Sequence, residues 1–226
     1  MGCVDISALG CCTTLNSLSL DLEMLHEDID PLASCTALTS LKLRSFHLKN
    51  INALASCTAL TSIELECENL HSIPLKSCTA LTSATLRYLS IRSVRELKWC
   101  TALKSLVLSS CFSLWDCVGL ADCTELKTLK LFACRSLKDV SSLASCPALT
   151  SLELTSCRTT DPLDISALAS CTTLTSLDVR SSNIANVSAL ASWTCVSWFD
   201  YHFSHTKSLR VTDALPRKRQ WAAPWW

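Results

Sequence analysis

Aliphatic residues return along this chain in one spacing, Leu-x-x-Leu-x-Leu. The first four sets are Leu15, Leu18, Leu20; Leu38, Leu41, Leu43; Leu60, Ile63, Leu65; and Leu81, Ala84, Leu86. Four more follow: Leu103, Leu106, Leu108; Leu126, Leu129, Leu131; Leu149, Leu152, Leu154; and Leu174, Leu177, Val179. The last two members of each set lie two residues apart, which is the alternation of a strand with one buried face. Three residues before each first leucine stands a cysteine: Cys12, Cys35, Cys57, Cys78, Cys100, Cys123, Cys146 and Cys171, in steps of 23, 22, 21, 22, 23, 23 and 25. A unit this short cannot bury its apolar face alone, so a fixed period in this range predicts stacked coils, a solenoid that behaves as one quasi-linear domain.

Ahead of each cysteine lies the other half of the coil, as in Asp5-Ile-Ser-Ala-Leu9, Asn50-Ile-Asn-Ala-Leu54, Asp139-Val-Ser-Ser-Leu143 and Asp164-Ile-Ser-Ala-Leu168. These segments predict one short helical or 3-10 turn per coil, with Ser7, Asn52, Ser141, Ser166 and Ser188 as N-caps and Pro31 in a first turn. About 22 residues per coil leave no room for a long helix.

The arrangement resembles the leucine-rich repeat, Leu-x-x-Leu-x-Leu-x-x-Asn/Cys-x-Leu, over residues 4 to about 203. Cys111, Cys134 and Cys157 match the Asn/Cys position three residues past Leu108, Leu131 and Leu154; Glu23, Phe46, Glu68, Leu89 and Ser182 stand there in other repeats. The phrase Ile-Ser-Ala-Leu-Ala is similar to internalin-type repeats, and the cysteine usage is similar to the cysteine-containing class of F-box adaptors. The resemblance implies an α/β solenoid: a right-handed leucine-rich-repeat horseshoe with a parallel sheet on the concave face and short helical or 3-10 turns on the convex face. About eight repeats are expected over residues 1–192, a degenerate final repeat or cap over 193–206, and a disordered basic, Trp-rich tail over 207–226. Trp193 stands where the next anchor is due, and five of the seven tryptophans fall in 193–226. Residues 193–226 read equally as an aromatic cap with its tail or as sequence not selected to fold with the array. At the other end the chain opens in mid-repeat, so a fragment of a longer array is one expectation.

Composition changes this picture little. With 49% apolar but only 6% aromatic residues the core is aliphatic, and a formal net charge of zero gives no nucleic-acid footprint. The sixteen cysteines follow the repeat rather than a pairing scheme, so reduced, inward-facing thiols in a reducing compartment are expected, and the chain is assigned to the cytoplasm. No apolar run is long enough to span a membrane. Membrane attachment enters only through acylation at Gly2 and Cys3, where Ile6 departs from the usual Ser/Thr.

Three glycines, Gly2, Gly10 and Gly119, are too few for a phosphate loop, a dinucleotide fingerprint or a nucleophile elbow. The sets Cys111, Cys117, Cys123 and Cys195, His202, His205 lack the close pairing of a structural zinc site. No catalytic residue, cofactor or metal is expected.

What remains is the set of positions between and after the strand leucines, which vary while the adjoining column is nearly all serine. Lys42, Glu64, Val107, Lys130, Glu153 and Asp178 lie in one such column, and Arg44, Glu66, Arg87, Phe132 and Arg180 in the next, with Tyr88 beside them. Two readings stand: a partner-binding face centred on Arg87, Tyr88, Val107, Lys130 and Phe132, or cross-strand ion pairs on a solvated sheet. The function expected is a monomeric, non-enzymatic protein-interaction module whose partner is a protein of unknown identity, with no nucleic acid. The alternatives are the substrate-recognition part of a ubiquitin-ligase adaptor or a fragment of a larger repeat surface protein.

Overall fold

A computed structural model of the chain describes residues 5–22 and 28–190, and Phe199–Asp200 as backbone alone. The acylation motif, most of the segment 193–206 and all of 207–226 lie outside the described residues. Strands β1 (Ser17–Asp21), β2 (Ser40–Arg44), β3 (Ser62–Glu66), β4 (Ser83–Arg87), β5 (Ser105–Ser109), β6 (Thr128–Phe132) and β7 (Ser151–Thr155) form one parallel sheet in chain order. A two-residue strand, β8 (Leu163–Asp164), pairs with β10 (Ile184–Ala185) outside that sheet. The main sheet continues through β9 (Ser176–Asp178) to β11 (Phe199–Asp200).

The pairing runs serine to serine and leucine to leucine across successive coils, as Ser62 to Ser83 and Leu65 to Leu86. Register is fixed because a slip of one residue would carry every leucine from core to solvent. Leu41, Leu43, Ile63, Leu65, Leu106, Leu108, Leu129, Leu131, Leu152 and Leu154 are all buried, while Leu15, Leu18 and Leu20 of the first coil are only half-buried. Burying each such side chain is worth roughly 1.5–3 kcal/mol, and stacking repeats the gain in every coil.

The convex side carries one 3-10 turn in most coils: Ser7–Cys11, Asp30–Ser34, Asn52–Ser56, Arg95–Trp99, Val118–Asp122, Ser141–Ser145, Ser166–Ser170 and Val187–Leu190. The coil between Asn52–Ser56 and Arg95–Trp99 has none; Pro74 interrupts it, and its segment Ile73–Leu75 is irregular. The expected caps are displaced. Ser7, Asn52, Ser141 and Ser166 open their turns, but the capping oxygen sits two residues earlier. Asp5, Asn50, Asp139 and Asp164 accept the N–H of Ser7, Asn52, Ser141 and Ser166 at 2.8, 3.2, 2.7 and 2.8 Å. An Asx side chain reaches the amide two positions on, so the Asp or Asn that begins each phrase performs the task assigned to the serine. Ser188 lies inside its turn.

The Asn/Cys position also differs from the expectation in the early coils. In coils four to eight a residue with positive φ follows the strand: Tyr88 (59°), Ser110 (55°), Ala133 (55°), Ser156 (58°) and Ser181 (58°). That extra residue turns Leu89, Cys111, Cys134 and Cys157 inward. Among the described residues the first three coils have no such residue, and the step from the third strand leucine to the inward position is two residues there instead of three. Leu22, Ser45 and Cys67 point inward there, while Phe46 is half-buried and Glu68 exposed; Glu23 lies outside the described residues.

Candidate functional site

The strands present three columns of side chains on the concave face. In the first, Ser17, Ser40, Ser62, Ser83, Ser105, Thr128, Ser151 and Ser176 stand in register. The threonine before several of these serines serves the scaffold. Thr61 and Thr82 donate their hydroxyls to the carbonyls of Thr39 and Thr61 in the coil before, at 3.1 and 3.0 Å. The copied threonine therefore ties coil to coil.

The second and third columns hold the candidate residues, all on the solvent side of the sheet. Their charges are heavily paired. Lys42 meets Glu64 at 3.2 Å, and Arg44 bridges Asp21 at 3.1 Å and Glu66 at 3.4 Å. Glu64 also lies 3.6 Å from Arg87, Lys130 meets Glu153 at 2.6 Å, and Arg180 grips Asp178 at 2.5 Å. Five cations thus face five carboxylates along this surface. Exposed pairs of this kind contribute only about 0–1 kcal/mol to stability each. Partial burial works against ionisation of Asp178, but the side chain and backbone N–H of Arg180 outweigh it and hold that carboxyl below its usual range.

Val107, Lys130 and Phe132 sit on adjacent strands, with Val107 opposite Lys130 and Ser109 opposite Phe132. Arg87 is one strand further, opposite Ser109, and Tyr88 follows it in the left-handed conformation. Tyr88 and Phe132 are 41% and 48% exposed, so the centre of the face is apolar and aromatic between two paired charge groups. Lys42, Arg44, Glu64 and Glu66 form one of those groups; Glu153, Asp178 and Arg180 lie at the other end. Most of these ions pair across strands, and the aromatics between them stay exposed.

Beneath the sheet the thiols do more than fill space. From Cys35 to Cys171 each anchor thiol donates to a carbonyl of the coil before, Leu9, Leu32, Leu54, Leu75, Leu97, Leu120 or Leu143, at 3.3 to 3.8 Å. Those carbonyls lie in the preceding convex segment and already accept the N–H of that coil's own anchor cysteine, as Leu97 O does from Cys100 N at 2.8 Å, so each takes the thiol on its second lone pair. A second ladder runs behind the strands, Cys111 to Leu86, Cys134 to Leu108, Cys157 to Leu131 and Ser182 to Leu154. Burial pushes Cys67 and Cys78 up to about 11 and Cys100, Cys111 and Cys123 up to about 12. A hydrogen bond with Cys157, together with burial, also raises Cys134. Cys12, the first anchor, is exposed, and the fourteen described cysteines are all free. Among the described residues no group of three or more His, Cys, Asp or Glu converges as metal ligands would; Cys195, His202 and His205 lie outside them.

Sequence reasoning passed over Phe112 and Trp115, each 49% exposed on the outer loop of one coil. The available signal was position: Phe112 directly follows inward Cys111, and Trp115 directly follows inward Leu114.

No family model matches the sequence, and a search of curated proteins finds no match. Solved structures do resemble the fold. An internalin (inlF) from Listeria monocytogenes superposes with a TM-score of 0.58 at 23% identity, covering 89% of this chain and 65% of that one. The functional domain of InlJ from Listeria monocytogenes, described as including a cysteine ladder, gives 0.60 at 21% identity over 83% of this chain and 39% of that one. The leucine-rich repeat domain of the type III effector XopL gives 0.64 at 21% identity over 76% and 63%. This chain spans less than two thirds of each, and what the likenesses establish is the fold, a leucine-rich-repeat solenoid.

Proposed function

We propose that this leucine-rich-repeat solenoid is a non-enzymatic interaction module that binds a protein partner on the concave face of its sheet. The observation that carries the reading is the open apolar strip of Tyr88, Val107 and Phe132 between two sets of ion pairs. Aromatic side chains at the centre of a face, ringed by polar groups, are the usual anchors of protein recognition, and truncating one costs about 2 kcal/mol or more of binding. Rigidity supports the same reading, since a stacked sheet loses little entropy on binding. The buried thiols of Cys67, Cys78, Cys100, Cys111 and Cys123 are held protonated at neutral pH, which suits packing and not nucleophilic chemistry.

The quadruple variant Arg87→Ala, Tyr88→Ala, Lys130→Ala, Phe132→Ala tests this. Its circular dichroism should match the parent, because all four side chains lie on solvent, while capture of the partner from an extract of the native source should be lost. Undiminished capture by a folded quadruple variant removes the concave face from the function.

A further inference from the structure

The charges of the concave face pair with one another; on the loop edge that joins strands to convex turns the cations form no such pairs, although Asp116, Asp139 and Asp161 lie among them. In three successive coils Arg92, Trp115 and Lys138 occupy equivalent places, tied by Trp115 N–H to Arg92 O at 3.0 Å and Lys138 N–H to Trp115 O at 2.8 Å. One step nearer the sheet, Phe112, Arg135 and Arg158 form a second row, each directly after an inward cysteine. Successive coils place neighbours within a row about 4.8 Å apart, so these six side chains share one patch. All six are exposed.

None of the four cations makes an ion pair among the described residues. Arg135 lies over the Phe112 ring at 5.4 Å, a contact that leaves its guanidinium edge open. The nearest carboxylates in sequence are turned toward backbone and hydroxyl donors and form no ion pair with these cations: Asp116 accepts from Ser93 at 2.6 Å and from the Val118 N–H at 3.2 Å, and Asp139 accepts from the Ser141 N–H. Next to this patch Arg135, Lys138, Thr159 and Pro162 line an open cleft of about 220 Å³, room for one apolar side chain. Asp161 also lines it and makes no ion pair with Arg135, Lys138 or Arg158.

We propose that this edge is a second recognition surface, separate from the concave face, whose occupant is an acidic peptide segment of a partner protein with an aromatic or aliphatic residue for the cleft. Charge complementarity identifies the occupant: unpaired Arg and Lys beside exposed aromatics suit carboxylates alternating with apolar side chains. Four cations on a chain of zero net charge are too few for the phosphate contacts that nucleic-acid affinity rests on. The cleft with room for an apolar side chain likewise has no counterpart in a phosphate backbone.

Fluorescence anisotropy with a labelled peptide of repeated Glu-Glu-Phe-Asp tests the proposal, against a Gln-Gln-Phe-Asn control, an oligo-dT strand and phosphatidylserine vesicles. The full chain should bind the acidic peptide and lose it as salt rises. Arg92→Glu with Arg135→Glu and Lys138→Glu should weaken it at least about tenfold with unchanged circular dichroism. Trp115→Ala should weaken it severalfold without altering the salt dependence. The concave quadruple variant should bind the peptide like the parent, so this surface and the concave one stand or fall separately. The proposal is overturned by no binding at micromolar concentrations, by equal binding of the control peptide, by an unaffected charge-reversal variant, or by tighter binding of the oligo-dT or the vesicles.

Discussion

Alkali should unfold this solenoid at a pH that its buried thiols set. Burial raises Cys67, Cys78 and Cys146 from 9.0 to about 11, and Cys100, Cys111 and Cys123 to about 12, because a thiolate inside the coil stack has no water and faces carbonyl oxygens. The unfolded chain gives up these protons near its ordinary thiol value, and the folded chain keeps them. Above that pH the unfolded state binds fewer protons, so stability falls as pH rises; below it the contribution is intact. Each thiol weakens the fold by about 1.4 kcal/mol per pH unit between its unfolded and folded values. Six thiols together give on the order of 8 kcal/mol for the first unit, comparable with the whole stability of a typical domain at 5–15 kcal/mol. Thermal melts by circular dichroism in a reducing buffer should therefore show a flat Tm from pH 7 to the thiol range and a steep fall within about one unit above it. Cys100→Ala should lower the starting stability and also flatten the slope by about 1.4 kcal/mol per unit. A Tm that stays level a full unit above the ordinary thiol value, or a slope that Cys100→Ala leaves untouched, would refute the account of the ladder.

Two further substitutions bear on the core. Ser45 is fully buried, and its Oγ has no hydrogen-bond partner among the described residues, between Leu22 and Cys67 in the inward column. Ser45→Cys should stabilise the chain by about 1–2 kcal/mol in urea titrations, since an unpaired buried hydroxyl is replaced by the thiol its neighbours use; a loss of stability would contradict this. At Gly119 an added Cβ would stand 2.3 Å from Val94 O and 2.6 Å from Arg95 Cα, both backbone. Gly119→Ala should cost roughly 2–3 kcal/mol and lower the Tm. Gly10→Ala, whose Cβ meets nothing nearer than 3.9 Å, should be neutral or slightly stabilising, and equal behaviour of the two variants would deny the close approach of the turns at Val118–Asp122 and Arg95–Trp99.

The architecture was legible because its signal is repeated in every coil. The spacing of Leu41 and Leu43, copied at Ile63 and Leu65 and onward, assigned strand, burial and parallel stacking together, and the structure pairs those residues as read. Caps were misplaced by two residues because Asp and Ser occur in the same phrase and either is a good capping residue; only backbone geometry shows that Asp139 Oδ1 reaches the Ser141 N–H. The inward column was misread at Phe46 and Glu68 because nothing about Tyr88, Ser110 or Ala133 marks a left-handed residue, and counting alone does not reveal where the step to the inward position is two residues instead of three.

The candidate face divides along the same line. Its columns came from the sequence, since alternation along a strand fixes which residues point outward. Which of them remain open came only from the packed sheet, where Lys130 turns to Glu153, Arg87 approaches Glu64, and Tyr88 and Phe132 stay exposed. The thiols follow the same division. Their period, and so their inward direction, is a local fact repeated by the chain. Their task is to bond a carbonyl of the coil before, and it exists only once that coil, more than twenty residues away in sequence, has been stacked beneath them. Periodicity is written in the order of residues, whereas partners are chosen by the distances that stacking creates.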